Sequence, residues 1–143
     1  MQDLLMHRAA ILTCLALCLP DQVIADPIHP GAYEVDVKIR IPNVDVSNAD
    51  FTTRICLRSD EDLSSKLGPL GPGPLKDCPS VARTDGNSLI IDTKCDGPNA
   101  GWAVSSYFVT SRGFEGTVNM NMGGKNMTVQ EIHRGTWAGK CLE

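Results

Sequence analysis

The chain has 143 residues, with 13 basic against 17 acidic side chains for a net charge of −4. That length holds one conventional core, and the weak acidity excludes the basic footprint with which a nucleic-acid binder neutralises phosphates. With only 3 Phe, 2 Trp and 2 Tyr, the interior must be filled mostly by aliphatic side chains and methionine.

Residues 1–25 have the layout of a secretory signal: His7 and Arg8 near the start, an apolar run from Ala9 to Leu19, and Val23-Ile24-Ala25 before a cut expected between Ala25 and Asp26. The run is far short of the roughly 20 residues that cross a bilayer, so the mature chain, 26–143, is expected to carry no membrane span. Processing removes Cys14 and Cys18 and leaves Cys56, Cys78, Cys95 and Cys141. An even count in an exported chain, with no C-x-x-C pair, favours two disulfides over a zinc site.

In chain order, Tyr33 to Ile41 alternates Tyr33, Val35, Val37, Ile39 and Ile41 against Glu34, Asp36, Lys38 and Arg40, the period of a half-buried strand. Phe51 to Leu57 reads as a second strand. Ser59-Asp60-Glu61-Asp62 can cap a short helix or turn carrying Leu63 and Leu67 on one side and ending at Gly68. Gly68 to Leu75 alternates Gly and Pro too densely for helix or central strand, and is expected to be a surface spacer looped over one end of the sheet.

Val81 to Cys95 reads as a hairpin. If Gly86 and Asn87 form its two-residue loop, Asp85 opposes Ser88, and counting outward sets Cys78 opposite Cys95 at a non-hydrogen-bonded pair, where opposed side chains lie closest. Pro79 then requires an edge strand. Cys56 is left for Cys141, and this pairing is preferred over the other two connectivities. Trp102 to Thr110, Phe114 to Met122 and Lys125 to His133 make three more strands. A tight turn at Gly123-Gly124 sets Met122 opposite Lys125, Met120 opposite Met127, Val118 opposite Val129, Gly116 opposite Glu131 and Phe114 opposite His133. The fold class is mainly all-β: an antiparallel meander forming a small barrel or strongly curved sheet, with one short helix and two disulfides.

These landmarks resemble the DUF3617 family of small exported bacterial proteins. The resemblance is carried by Pro30-Gly31-Ala32-Tyr33-Glu34, Ile55-Cys56-Leu57, Cys78, Cys95-Asp96-Gly97, the Met-rich strands from Val118 to Val129, and Arg134-Gly135-Thr136-Trp137-Ala138-Gly139-Lys140-Cys141. Tyr33 stands where the family usually has Trp. The resemblance implies a β-rich fold and a Gram-negative periplasmic location, and nothing about a reaction.

Catalysis is not signposted. Only His29 and His133 survive processing, no nucleophile motif accompanies them, and Asp60, Glu61 and Asp62 read as solvated partners of a helix start. No enzymatic activity or cofactor is expected. Met120, Met122, Met127 and His133 share one face of one hairpin and offer the soft ligands that select Cu(I). Core filling by methionine is the simpler explanation, and His133 lies several ladder pairs from Met120. Asn126-Met127-Thr128 matches a glycosylation sequon, which the bacterial setting makes a chance match.

Two uses of the sheet remain. A carrier of a small apolar ligand would line an interior cavity with Val35, Val37, Ile39, Val118 and Met120. A monomeric interaction module would pack those side chains and meet a protein or envelope partner through an outer apolar patch, with Trp102 and Trp137 as candidate contacts. The interaction module is the favoured expectation.

Overall fold

The computed structural model describes residues 28–45, 49–59, 62–97, 100–124 and 127–142. The expected signal segment, Asp60-Glu61, Lys125 and the sequon's Asn126 lie outside them. Seven strands form one antiparallel sheet: β1 (Gly31–Arg40), β2 (Phe51–Leu57), β3 (Ser80–Asp85), β4 (Ser88–Lys94), β5 (Trp102–Thr110), β6 (Gly113–Met122) and β7 (Met127–Gly139). Their order is β2-β1-β7-β6-β5-β4-β3. The sheet is strongly curved and does not close.

The alternation in β1 has the consequence expected of a pleated strand. Tyr33, Val35, Val37 and Ile39 are buried on the inner face, and Glu34, Asp36, Lys38 and Arg40 are exposed on the outer one. The β3–β4 hairpin closes at Asp85↔Ser88 and reaches Ser80↔Thr93, so the count outward holds. The disulfides are Cys78–Cys95 and Cys56–Cys141, with Cα–Cα separations of 5.1 and 5.6 Å. Pro79 sits just before an edge strand, as its missing N–H requires.

Three expectations are corrected. The meander covers β3 to β7 only, because β1 pairs with β7 and brings the start of the domain against its end. The β6–β7 connection spans four residues instead of two, which shifts every pair: Met122 opposes Met127, Met120 opposes Val129, Val118 opposes Glu131, Gly116 opposes His133 and Phe114 opposes Gly135. The last strand begins at Met127, not Lys125, and runs on through Trp137 to Gly139, well past His133.

The third correction concerns the Gly/Pro segment. The chain leaves β2 at one edge and must reach β3 at the other, and it does so across the inner face. On the way it makes α1 (Asp62–Lys66), which buries Leu63 and ends beside buried Leu67, with Gly68 adopting a positive φ of 112°. From Gly68 to Leu75 the segment is a strap within the curl, with Gly68, Pro69, Gly71 and Leu75 buried; a 3-10 turn at Pro74–Asp77 then leads to Cys78. Its composition reads as surface because isolated backbone groups seek water. Here the inner face of the sheet supplies their partners.

Beneath the strap, Phe114 packs between two tyrosines, its centroid 5.7 Å from the ring of Tyr33 and 5.5 Å from that of Tyr107. Gly135, directly opposite Phe114, has no room for a side chain, since a Cβ there would overlap the phenyl ring. This glycine in the middle of a strand is explained by the close approach of that ring.

Candidate functional site

The inner face of β7 runs Val129, Glu131, His133, and the two ionisable residues are among the least exposed in the protein, Glu131 at 2% and His133 at 1%. An unpaired buried carboxylate would be very costly, so its partners decide whether this arrangement is stable. The backbone N–H of Leu70 donates to one oxygen and that of Gly71 to the other, both at 2.9 Å, and His133 Nε2 lies 2.8 Å from Oε2. On the far side of the imidazole, His133 Nδ1 is 2.9 Å from the Tyr107 hydroxyl, which also accepts the Gly68 N–H at 3.2 Å.

An ionised carboxylate can only accept, so Nε2 carries a proton and donates it to Glu131. Burial works to raise the Glu131 pKa, but the hydrogen bonds from His133, Leu70 and Gly71 outweigh it and hold the carboxyl below its ordinary value. Burial pushes the Tyr107 phenol upward. The whole line, strap to carboxylate to imidazole to phenol and back to strap, is a latch that satisfies three backbone N–H groups of the strap, those of Gly68, Leu70 and Gly71.

Gly71 is where the latch is tightest. A Cβ there would come within 2.5 Å of Glu131 Oε1, so only glycine lets the backbone approach the carboxylate this closely. Gly71→Ala is therefore expected to destabilise the fold by about 1–3 kcal/mol through overpacking and a lengthened charged hydrogen bond. Urea unfolding checks this, and a change under 0.5 kcal/mol would show that the strap is not held by this contact.

Next to the latch, toward the β6–β7 connection, a groove of about 220 Å³ opens between the strap and the sheet. Its walls are Ile39 and Ile41 from the β1 side, Leu75 from the strap, and Met120, Met122, Met127 and Val129 from β6 and β7, with Glu131 at its inner end. Met122 and Met127 are direct cross-strand partners, so their side chains share one site, and a Cβ on Gly73 would sit 3.3 Å from the Met122 methyl. A second hollow, lined by Trp102, Arg40, Pro42, Asn119 and Gln130, shares Ile41, Met120 and Val129 with the first.

The residues singled out by sequence divide accordingly. Of the five ligand-lining candidates, Ile39 and Met120 face the groove, whereas Val35, Val37 and Val118 are packed into the core at 0–1% exposure. The three methionines meet in one groove, and His133 is held apart from them in the latch. Trp102 and Trp137 are half-exposed and far apart: Trp102 starts β5 at the methionine end, and Trp137 pairs with Tyr33 near the other end of the sheet. Among the described residues no group of three or more His, Cys, Asp or Glu is placed to hold a metal.

Sequence reasoning missed the latch. Its trace was present: Glu131 and His133 stand two apart in phase with Val129, polar positions on the apolar side of a strand, while Ile132 faces outward. A break of that kind in binary pattern marks a buried polar network.

What the fold and site define is a small, mainly β protein in which an open, curled sheet is stapled by two disulfides and filled by a crossover strap latched to a buried carboxylate. The chain belongs to the DUF3617 family, described as "Protein of unknown function (DUF3617)", whose family model matches residues 28–141. No curated protein and no solved structure matches the chain.

Proposed function

We propose that this is a non-catalytic, exported periplasmic binding protein that takes an apolar group of a protein or cell-envelope partner into the methionine-lined groove, with Trp102 in the adjoining hollow. The carrying observation is the groove beside a filled interior. At about 220 Å³ it is smaller than the roughly 300–1,000 Å³ of pockets that enclose whole small ligands, so it suits one side chain or the end of an aliphatic chain offered by something larger. Methionine walls adapt to varied apolar shapes. Met127, at 42% exposure, extends the apolar surface outward from the groove, and Trp102, at 49%, lines the adjoining hollow that shares Ile41, Met120 and Val129 with it.

Export is supported by the pairing of all four mature cysteines. No helix among the described residues is long and apolar enough to cross a membrane. The buried Glu131–His133–Tyr107 line has the residue types of acid–base catalysis, but its donors and acceptors are spent on the strap and on one another.

Native mass spectrometry of protein purified from its own periplasm tests the reading. A co-purified protein or lipid is expected from the wild type and is lost from Trp102→Ala/Met127→Glu, whose fold circular dichroism should find unchanged. A partner retained equally by that variant would move the site elsewhere. The meeting of three thioethers favours a second reading, a Cu(I) seat. A mass gain of one copper, abolished by Met120→Leu/Met122→Leu, would select it.

A further inference from the structure

The sheet ends where it does for a reason of parity. Each of the seven strands is antiparallel to its neighbours, so the two outermost, β2 and β3, run in the same direction. They cannot pair with each other and continue the antiparallel pattern. One further strand set antiparallel to both would complete an even, closed barrel.

Both edges present the groups such a strand needs. The Asp85↔Ser88 closing pair and the Lys94 N–H bond to Pro79 O place the main-chain groups of residues 79, 81, 83 and 85 toward β4, so the N–H and C=O of Ser80, Ala82 and Thr84 face outward. Pro79 therefore takes no donor from the open edge. On β1, the Ile39 N–H points toward the β2 side, where it donates to Asp50. By alternation the groups of Phe51, Thr53 and Ile55 point to β1, and those of Thr52, Arg54 and Cys56 face outward.

Between these edges lies a cleft of about 550 Å³, lined on one side by Thr53, Arg54 and Ile55 and on the other by Cys78, Pro79 and Ser80. The strap forms its back, and α1, which touches both β2 and β3, occupies the rest of the seam. Arg54, Lys66 and Lys76 line the cleft against the single carboxylate of Asp77, in a chain of net charge −4. None of the three cations forms an ion pair among the described residues.

We infer that the β2–β3 seam is a second binding surface that accepts a short, extended, acidic peptide segment of a partner as an added strand. Main-chain hydrogen bonds to Arg54 and Ser80 hold it in register, and Arg54, Lys66 and Lys76 meet its carboxylates. This surface shares Pro69 and Lys76 with the methionine groove, while Thr53, Arg54, Lys66 and Ser80 line it alone.

The test uses the mature protein and two acetylated hexapeptides, (Glu-Val)3 and (Lys-Val)3, followed by amide exchange in NMR. Added (Glu-Val)3 is expected to slow exchange at the Arg54 and Ser80 amides while leaving Thr53 and Val81, which already point into the sheet, unchanged. It should bind at least tenfold more tightly than (Lys-Val)3. Lys66→Glu/Lys76→Glu should remove that preference without lowering the melting temperature. The inference is overturned by no added protection at Arg54 and Ser80, or by equal binding of the two peptides. It is equally overturned by protection that grows with protein concentration alone, which would mean that a second copy fills the seam.

Discussion

Glu131→Gln is expected to destabilise the protein by about 3 kcal/mol, a large share of the stability of a small domain. The carboxylate accepts from Leu70, Gly71 and His133 in a site closed to water, where each charge-assisted bond outweighs a neutral one. An amide of the same shape has a single oxygen, and its NH2 group must face at least one of those three donors, leaving a buried donor unmet. Glu131→Ala should cost more, about 3–5 kcal/mol, since it also opens a cavity.

The same residue gives a pH dependence whose direction follows from its lowered pKa. A carboxyl that ionises more readily folded than unfolded contributes stability that is fully present above its ordinary value of 4.5 and is lost as pH falls through the folded value. Urea midpoints measured from pH 6 downward should therefore fall below about pH 4.5 in the wild type, and fall less steeply in Glu131→Gln. Equal slopes in the two proteins would show that Glu131 is not the group being titrated.

Removing the Cys56–Cys141 bridge has the second large expected effect. It spans 85 residues and ties the tail beyond β7 to edge strand β2, whereas Cys78–Cys95 spans 17 and closes one hairpin. In the loop-entropy model the two closures are worth about 4–5 and about 3 kcal/mol. Cys56→Ala/Cys141→Ala should thus lose more than Cys78→Ala/Cys95→Ala, and reduction of both bridges should leave the chain largely unfolded at 37 °C. Denaturation of the two variants with and without dithiothreitol checks the order. The reverse order would mean that the edge strand is held mainly by its pairing with β1 and not by the tail.

The elements were legible because a strand prints its two faces locally. β1 announces itself in nine consecutive residues, and the hairpin at Asp85-Gly86-Asn87 carries enough turn chemistry to set the register of both of its strands and so to place Cys78 on Cys95. The second hairpin misled for a related reason. Two glycines in the connection allow either a two-residue or a four-residue turn, and the choice rests on packing: the longer turn places Glu131 beside Val118 and His133 beside Gly116, under the strap.

The presence of each strand, the buried face of most of them, the Cys78–Cys95 pairing and the family were legible in the amino-acid sequence alone, because each rests on periodicity, turn chemistry or spacing within short stretches, and Cys56–Cys141 followed by elimination. Tertiary structure alone decided the closure of β1 on β7, the path of the Gly/Pro strap through the interior, and the gathering of Glu131, His133 and Tyr107 beneath it. Those depend on contacts between residues far apart in the chain, such as Ala32 with Gly139 and Leu70 with Glu131, the latter 61 positions apart. A backbone that looks fit only for water becomes buried once a distant carboxylate supplies its missing acceptors.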